Sequence, residues 1–319
     1  MGAHVARVAL DRGHDVVALD DLSGGSRENV DERARFVEGS VVDHELLDRL
    51  FADEKFDRVY HLAAYAAEGL SQFIKRYNYT NNVIGSVNLI NAAVNNDVPF
   101  FVFTSSIAVY GSNQLPMTED LRPEPEDSYG IAKFTVEQEL AASHEMFGID
   151  YAIFRPHNVY GELQNMGDRY RNALGIFMNQ IMRGDPLSIF GDGEQTRAFS
   201  YIGDIVDPIV DAPDVPGARN EIFNVGADQP YSINQLADII KNAMGVPDHP
   251  VIHHDARLEV VNAYSDHSKV RRVFGDHPVT SLEDGVQRMV EWARDHGPRE
   301  TTPFPTIEVE KNLPPSWRH

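Results

Sequence analysis

The sequence predicts an α/β protein: a doubly wound parallel sheet without its opening strand, joined to a smaller, interleaved α+β domain. Three observations carry this expectation. Apolar, β-rich runs alternate with helical patterns through the first half, the signature of a parallel sheet with helices on both faces. The run Phe100-Phe101-Val102-Phe103 is apolar on both sides of a strand, as a buried central strand must be. After Arg155 the alternation breaks, and the stretch 156–172 becomes rich in Asn, Gly, Tyr and Arg, as binding loops are.

Element by element, strands are expected at Asp15–Leu19, Arg35–Val37, Arg58–Leu62, Phe100–Thr104 and Tyr151–Phe154, with helices near 3–12, 43–53, 80–96 and 130–147 between them. Helical patterns return near 173–183, 233–244 and 282–296, and Ser232 is a suitable N-cap for the second of these. Beyond Gly297 the tail holds five prolines and is expected to be extended. The first domain is expected over 1–156, with part of 198–226 returning to it, and the second over 157–319. A doubly wound domain opens with a strand and a glycine turn, whereas this chain opens on the helical MGAHVARVALDRGH. Gly2 then reads as the last glycine of a phosphate loop, about ten residues of strand and loop being missing through a misassigned start or a truncation. On that reading the sheet should hold an unfilled slot beside the helix starting near Gly2, and the chain should bind a dinucleotide weakly.

Bulk properties narrow the class. The 319 residues include 49 acids against 28 basic residues, and the formal charge of −21 argues against nucleic acid or an anionic membrane as partner. Such an acidic shell fits a salt-adapted protein as well as an acidic mesophilic one. A phosphate-bearing ligand would then need a local basic pocket. Cysteine is absent, which removes disulfides and thiolate chemistry. No apolar run approaches the roughly 20 residues of a membrane span, and no signal peptide is readable, so a cytoplasmic location is expected.

Chemistry concentrates at three places. In SYGIAKF, Tyr129 and Lys133 stand four apart on a helix face, so an ammonium near the phenol should favour its ionised form and make it a proton acceptor. Upstream, FTSSIAVYG ends the buried strand, and hydroxyls there face the crevice where ligands bind, which makes Ser106 a partner for the substrate hydroxyl. In DVVALDDLSGG, Asp20 lies eighteen residues after Gly2, where an acid holds the adenosine ribose and disfavours a 2′-phosphate, so NAD is expected over NADP. His253, His254 and Asp255 sit on adjacent strand positions that face opposite ways, and no metal is expected there.

Together, Gly2-Ala3-His4, Asp20-Asp21, HLAA at 61–64, NNVIGS at 81–86, TSSIAVYG, SYGIAK, LSIFGDGEQTRAFSY at 187–201, RPHNVYG at 155–161 and FNVG at 223–226 resemble the extended short-chain dehydrogenase/reductase family acting on nucleotide sugars. The match runs from residue 2 to about 296 and implies a Rossmann-like fold. It implies that Gly2, Asp20, Asp21, Ser40, Val41, Leu62, Ala63, Ala64, Ala66, Asn81, Thr104 and His157 meet the NAD cofactor, as Tyr129 and Lys133 also do. Ser106, Tyr129 and Lys133 become the catalytic set. Asn158, Asn172, Ser188, Ile189, Phe190, Arg197 and Arg257 become substrate ligands, the two arginines holding the diphosphate. The helices near 80–96 and 130–147 resemble those of a homodimer interface. Departures are the two missing loop glycines, Ser40 in place of an acid, Ala198 and Gly203 in place of acids with only Asp204 retained, and Arg257 one residue out of register.

Relatives that dehydrate or decarboxylate the sugar place acids just after the hydroxyl residue, where this chain has Ile107 and Ala108, and those that epimerise carbons 3 and 5 use a cysteine. The resemblance therefore implies a 4-epimerase, of UDP-glucose/UDP-galactose type. A non-catalytic nucleotide-sugar-binding protein, a dehydrogenase or reductase, and a uronate 4-epimerase stay as alternatives.

Overall fold

The architecture comes from a computed structural model that describes residues 1–257, 260–277, 279–301 and 303–317. The chain enters on helix α1 (Gly2–Asp11), followed by β1 (Val17–Asp20), β2 (Arg35–Glu38), α2 (His44–Asp53) and β3 (Val59–His61). Two short helices, α3 (Glu68–Ser71) and α4 (Lys75–Tyr79), lead through a wide turn into α5 (Gly85–Asn95). Then come β4 (Phe100–Thr104), the long α6 (Ser128–Phe147) and β5 (Asp150–Pro156). The helix expected near 80–96 thus begins earlier, at Lys75.

The central strand shows why this order folds in layers. All five residues of β4 are buried, and their alternation splits them between two cores. Phe101 and Phe103 pack with Leu47, Leu89, Val136 and Leu140 from α2, α5 and α6. Phe100 and Val102 join a second core that holds Val5 and Ala9 of α1. Helices therefore cover both faces of the sheet.

The second half supplies smaller pieces. They are β6 (Val159–Tyr160), α7 (Ala173–Arg183), β7 (Leu187–Phe190), β8 (Thr196–Ala198), β9 (Ser200–Tyr201), α8 (Ile202–Asp211), β10 (Glu221–Val225), β11 (Pro230–Ser232) and α9 (Ile233–Met244), followed by β12 (Val251–His254), β13 (Asn262–Ala263), α10 (Ser268–Phe274) and α11 (Leu282–His296). Ser232 caps α9 in a full capping box with Gln235. Strand β10 pairs in parallel with β5, and α8 packs on α1, so the second half returns to the first. The sequence pattern misses α8 because Pro208 lies inside it. The described residues of the tail form no strand, and Pro315–Trp317 make a short 3₁₀ turn; Thr302, Arg318 and His319 lie outside the described residues.

The strands of the first half, joined by β10, fall into two parallel sheets, β1-β2 and β10-β5-β4-β3, with no ladder between β1 and β3. Both strands border one cavity of about 2410 Å³, which also reaches Gly2 at the start of α1 and continues between the two halves. That cavity holds the candidate site.

Candidate active site

The reacting groups are set by one close approach. Asp127 caps α6, its carboxylate accepting the N–H groups of Tyr129 and Gly130 at 2.8 Å each. A Cβ on Gly130 would lie 2.5 Å from the carbonyl oxygen of Ala108, so only glycine lets α6 press against the turn that follows β4. On that turn Ser106 Oγ accepts the N–H of Ala108 at 3.1 Å. The result is that Ser106 and Tyr129 both stand on the cavity wall, close enough for the serine to favour the ionised phenol.

One turn further along α6, Lys133 is 3% exposed. Its ammonium donates to the Thr104 carbonyl at 2.8 Å and lies 5.7 Å from the centre of the Tyr129 ring. Burial lowers the Lys133 pKa to about 7, against the opposing pull of Glu137. Burial also pushes the Tyr129 phenol above its ordinary value, with Glu68 and Asp127 adding to the rise and Ser106 and Arg171 opposing it. The expectation that Lys133 by itself brings the phenol into the neutral range therefore needs correcting. In the protein alone, desolvation is the largest influence on the phenol, which is held above its ordinary value and keeps its proton at neutral pH.

The cofactor expectations fall mostly on one stretch of the cavity. Gly2, Asp20, Asp21, Val41, Leu62, Ala63, Ala64, Ala66, Asn81 and Thr104 all border it. Asp20 ends β1 with its carboxylate accepting the N–H of Leu22 at 2.7 Å, and Asp21 accepts that of Ser23 at 3.0 Å. Gly2 has open space where a side chain would be. Ser105, whose buried Oγ has no hydrogen-bond partner, borders the same space. A strand-end acid, an open helix N-terminus and an apolar Leu-Ala-Ala wall fit a dinucleotide.

Two expected contacts lie elsewhere. Ser40 Oγ accepts the N–H of Val42 at 3.3 Å and shapes the turn into α2. His157 is 3% exposed, with Nδ1 2.9 Å from the Ala198 carbonyl and Nε2 3.1 Å from Nε2 of His267. The chain turns at Asn158, where φ is 40°, so Asn158 borders the cavity and His157 points into the interior.

On the opposite wall stand Asn158, Asn172, Ser188, Ile189, Phe190, Arg197 and Arg257. Asn172 caps α7, accepting the N–H of Leu174 at 3.0 Å and donating to the Val159 carbonyl at 2.7 Å. Ser188 and Phe190 are half-buried, whereas Ile189 between them sits in the core. Arg197 donates to the carbonyls of Thr196 at 2.9 Å and Val261 at 2.8 Å. The Arg257 guanidinium lies 3.9 Å from the Phe190 ring centre. Among the described residues, no group of His, Asp or Glu side chains, His253–Asp255 included, is arranged to hold a metal ion.

Residues that motif reading passed over also border the cavity. Arg171 pairs with Asp168 at 3.0 Å and stands 4.7 Å over the Tyr65 ring. Glu68, Arg169 and Lys311 line it too. Arg169 and Arg171 could have been found from the arginines of the 156–172 loop. Glu68 and the tail residues carry no signal in the sequence. Despite the charge of −21 overall, Arg169, Arg171, Arg197, Arg257 and Lys311 bring the local cations that a phosphate-bearing ligand needs.

The "NAD dependent epimerase/dehydratase family" matches residues 1–226. A putative UDP-glucose 4-epimerase of Methanocaldococcus jannaschii is 32% identical over 299 residues, covering 93% of this chain and 96% of that protein. The UDP-glucose 4-epimerase of Mycolicibacterium smegmatis is 32% identical over 302 residues, covering 92% and 96% respectively. Among solved structures, the Thermotoga maritima UDP-glucose 4-epimerase with UDP-glucose superimposes with a TM-score of 0.87 at 32% identity, over 92% of this chain and 96% of that one.

The buried lysine makes stability depend on pH in a definite direction. Its pKa of about 7 in the folded protein lies below the unfolded value of 10.5. Between these values the unfolded chain binds the extra proton, so stability rises with pH across the window. Urea unfolding at pH 7, 8.5 and 10 should show the native protein gaining stability relative to Lys133→Met as pH rises. A constant difference between the two proteins would refute the assignment.

Proposed function

Because this chain belongs to the NAD-dependent epimerase/dehydratase family, we propose that it is a nucleotide-sugar 4-epimerase of the UDP-glucose/UDP-galactose type. The observation that carries this reading is the make-up of the reaction centre. Ser106, Tyr129 and Lys133 meet on the cavity wall, while the positions after Ser106 are Ile107 and Ala108. Neither of these can transfer a proton, so the turn offers no acid or base for eliminating water or carbon dioxide.

Asp20, the Leu62–Ala64 wall and the N-terminus of α1 would hold NAD, which supplies hydride acceptance and return when bound. Tyr129 acts as its phenolate, reached when positive charge in the cavity offsets the desolvation of the phenol and its own proton passes to solvent. The phenolate takes the proton of the sugar C4 hydroxyl and later gives it back, and Ser106 orients that hydroxyl by a hydrogen bond. Lys133 holds positive charge near the phenol in its protonated state, which favours the phenolate as it forms. Between oxidation and reduction the 4-keto sugar rotates to present its other face. That rotation needs room, and the large cavity provides it. Arg197 and Arg257 hold the diphosphate so that only the sugar turns.

Three measurements test this reading. Tyr129→Phe should lower turnover of UDP-glucose or UDP-galactose by about 10²–10⁴-fold, the contribution of a positioned general base, with NAD affinity near that of the native protein. Turnover at the native rate would overturn it, and a panel with N-acetylated and uronic UDP-sugars ranks the substrates. Asp20 should repel a 2′-phosphate, so titration should give far tighter binding of NAD than of NADP, and equal affinities would remove its role. Ile84 at the entrance to α5 and Ile131 on α6 are 50% and 40% exposed, as a helical dimer face would be in a lone chain. Light scattering should give a homodimer for the native protein and a monomer for the Ile84→Glu/Ile131→Glu double variant. A native monomer at micromolar concentration would contradict it.

A further inference from the structure

The tail after α11 wraps the outside of the cleft, and its last described residue, Trp317, lines the cavity. Glu308 accepts the N–H groups of Arg76 at 2.8 Å and Tyr77 at 3.0 Å, which caps α4. The Phe73 carbonyl accepts the N–H groups of Glu308 at 2.8 Å and Val309 at 3.2 Å. Phe304 N–H donates to the Tyr170 hydroxyl at 3.2 Å, and Arg169 donates to the Ser316 carbonyl. These anchors belong to both walls, 73–77 on the side of the parallel sheet and 169–170 on the other.

The tail delivers Trp317 to the cavity. The indole is 3% exposed and stands edge-on to Tyr170 at 5.2 Å and to Phe73 at 6.2 Å. Trp317 and Phe190 meet at 70°, with ring centres 6.3 Å apart. The Arg257 guanidinium occupies the corner between them, 5.1 Å from the indole and 3.9 Å from the Phe190 ring. An arginine on one ring face can swing about its long stem, whereas one held in an aromatic corner cannot. Such a guanidinium loses little freedom when it engages an anion.

We propose that Trp317 is a positioning residue for the nucleoside-diphosphate part of the substrate, acting by fixing where Arg257 presents its guanidinium. The proposal rests on the nucleotide-sugar reading above. It makes the tail, which lies outside the family match, part of the binding site rather than packing alone.

UDP alone is the probe. By calorimetry, Trp317→Ala should weaken UDP binding about tenfold, consistent with loss of a desolvated cation–π contact and the order it imposes. KM for the nucleotide sugar should rise by a similar factor, with kcat within about twofold and NAD affinity unchanged. Trp317→Phe keeps an aromatic face and should recover most of the affinity. The chain has two tryptophans, and Trp292 does not border the cavity, so Trp292→Phe leaves Trp317 as the sole reporter. Its emission should change on adding UDP. If the native protein binds UDP while Trp317→Ala binds it equally well, or while the emission does not change, the proposal fails and the nucleotide-sugar reading stands. Parallel loss of UDP and NAD binding would mark a merely structural tail and also overturn the proposal. Absence of UDP binding by the native protein would overturn the nucleotide-sugar reading, and the proposal with it.

Discussion

The placing of Ser106, Tyr129 and Lys133 depends on a buried ion pair one turn past the lysine. Glu137 of α6 and Arg155 of β5 are each 2% exposed and meet through two hydrogen bonds of 2.9 and 2.6 Å. Arg155 also donates to the Tyr110 hydroxyl at 2.7 Å, which donates to Asn224 of β10 at 2.9 Å. Asn224 in turn donates to the Met117 carbonyl at 3.1 Å. One network thus joins the helix bearing Tyr129 and Lys133, the turn after Ser106 and two strands. Buried pairs add little net stability over well-packed apolar residues, yet losing one partner costs about 3–5 kcal/mol. The network therefore acts less as a source of stability than as a constraint: it holds α6 at the register against the sheet in which the Glu137 and Arg155 charges are matched.

Lys133 can then be left without a carboxylate of its own. Its ammonium has a carbonyl and the face of Phe103, 4.8 Å away, while Glu137 spends its hydrogen-bonding capacity on Arg155. Desolvation consequently dominates and the lysine titrates near pH 7. A lysine paired directly with an acid would be a permanent cation. This one is poised to respond to whatever charge enters the cavity beside it, and the raised phenol of Tyr129 shares that sensitivity.

Where local chemistry decides the structure, the sequence was legible. Strand Phe100–Thr104 and helix Leu282–His296 have the bounds their apolar periodicity predicts, and the Ser232 cap is where its pattern places it. Tyr129, Lys133 and Ser106 meet because a helix face and a strand end are local features. Other outcomes are set by tertiary contacts that no window of sequence contains. His157 turns inward because His267, with Nδ1 2.6 Å from Asp228, waits there across 110 positions of chain. Helix α8 survives Pro208 because its apolar side, including Ile205 and Ile209, is buried in the larger core. The tail lacks periodicity because it packs by single anchors such as Phe304, Glu308 and Trp317.

Those same long-range anchors explain how the cleft keeps its shape although its sheet is divided. Strands β1 and β3 each leave an edge outside the ladder, and unpaired edges hold strands in place poorly. The β1–β2 pair is instead held by side chains and by the loop opposite. Val17, Leu19 and Val37 pack on the core containing Leu47 and Phe51. Asn29 donates to the Leu163 carbonyl at 3.1 Å, and Asn165 donates to that of Gly24 at 3.2 Å. A nitrogen of His4 on α1 lies 2.9 Å from the Glu162 carbonyl. Every one of these polar ties crosses the cleft to the 162–165 loop, which continues into Arg169, Arg171 and Asn172. The β1–β2 strands and the 162–165 loop are therefore positioned by each other. A change in one wall must be felt in the other, and the tail, anchored on Tyr170 and Phe73, spans the same two walls from the outside.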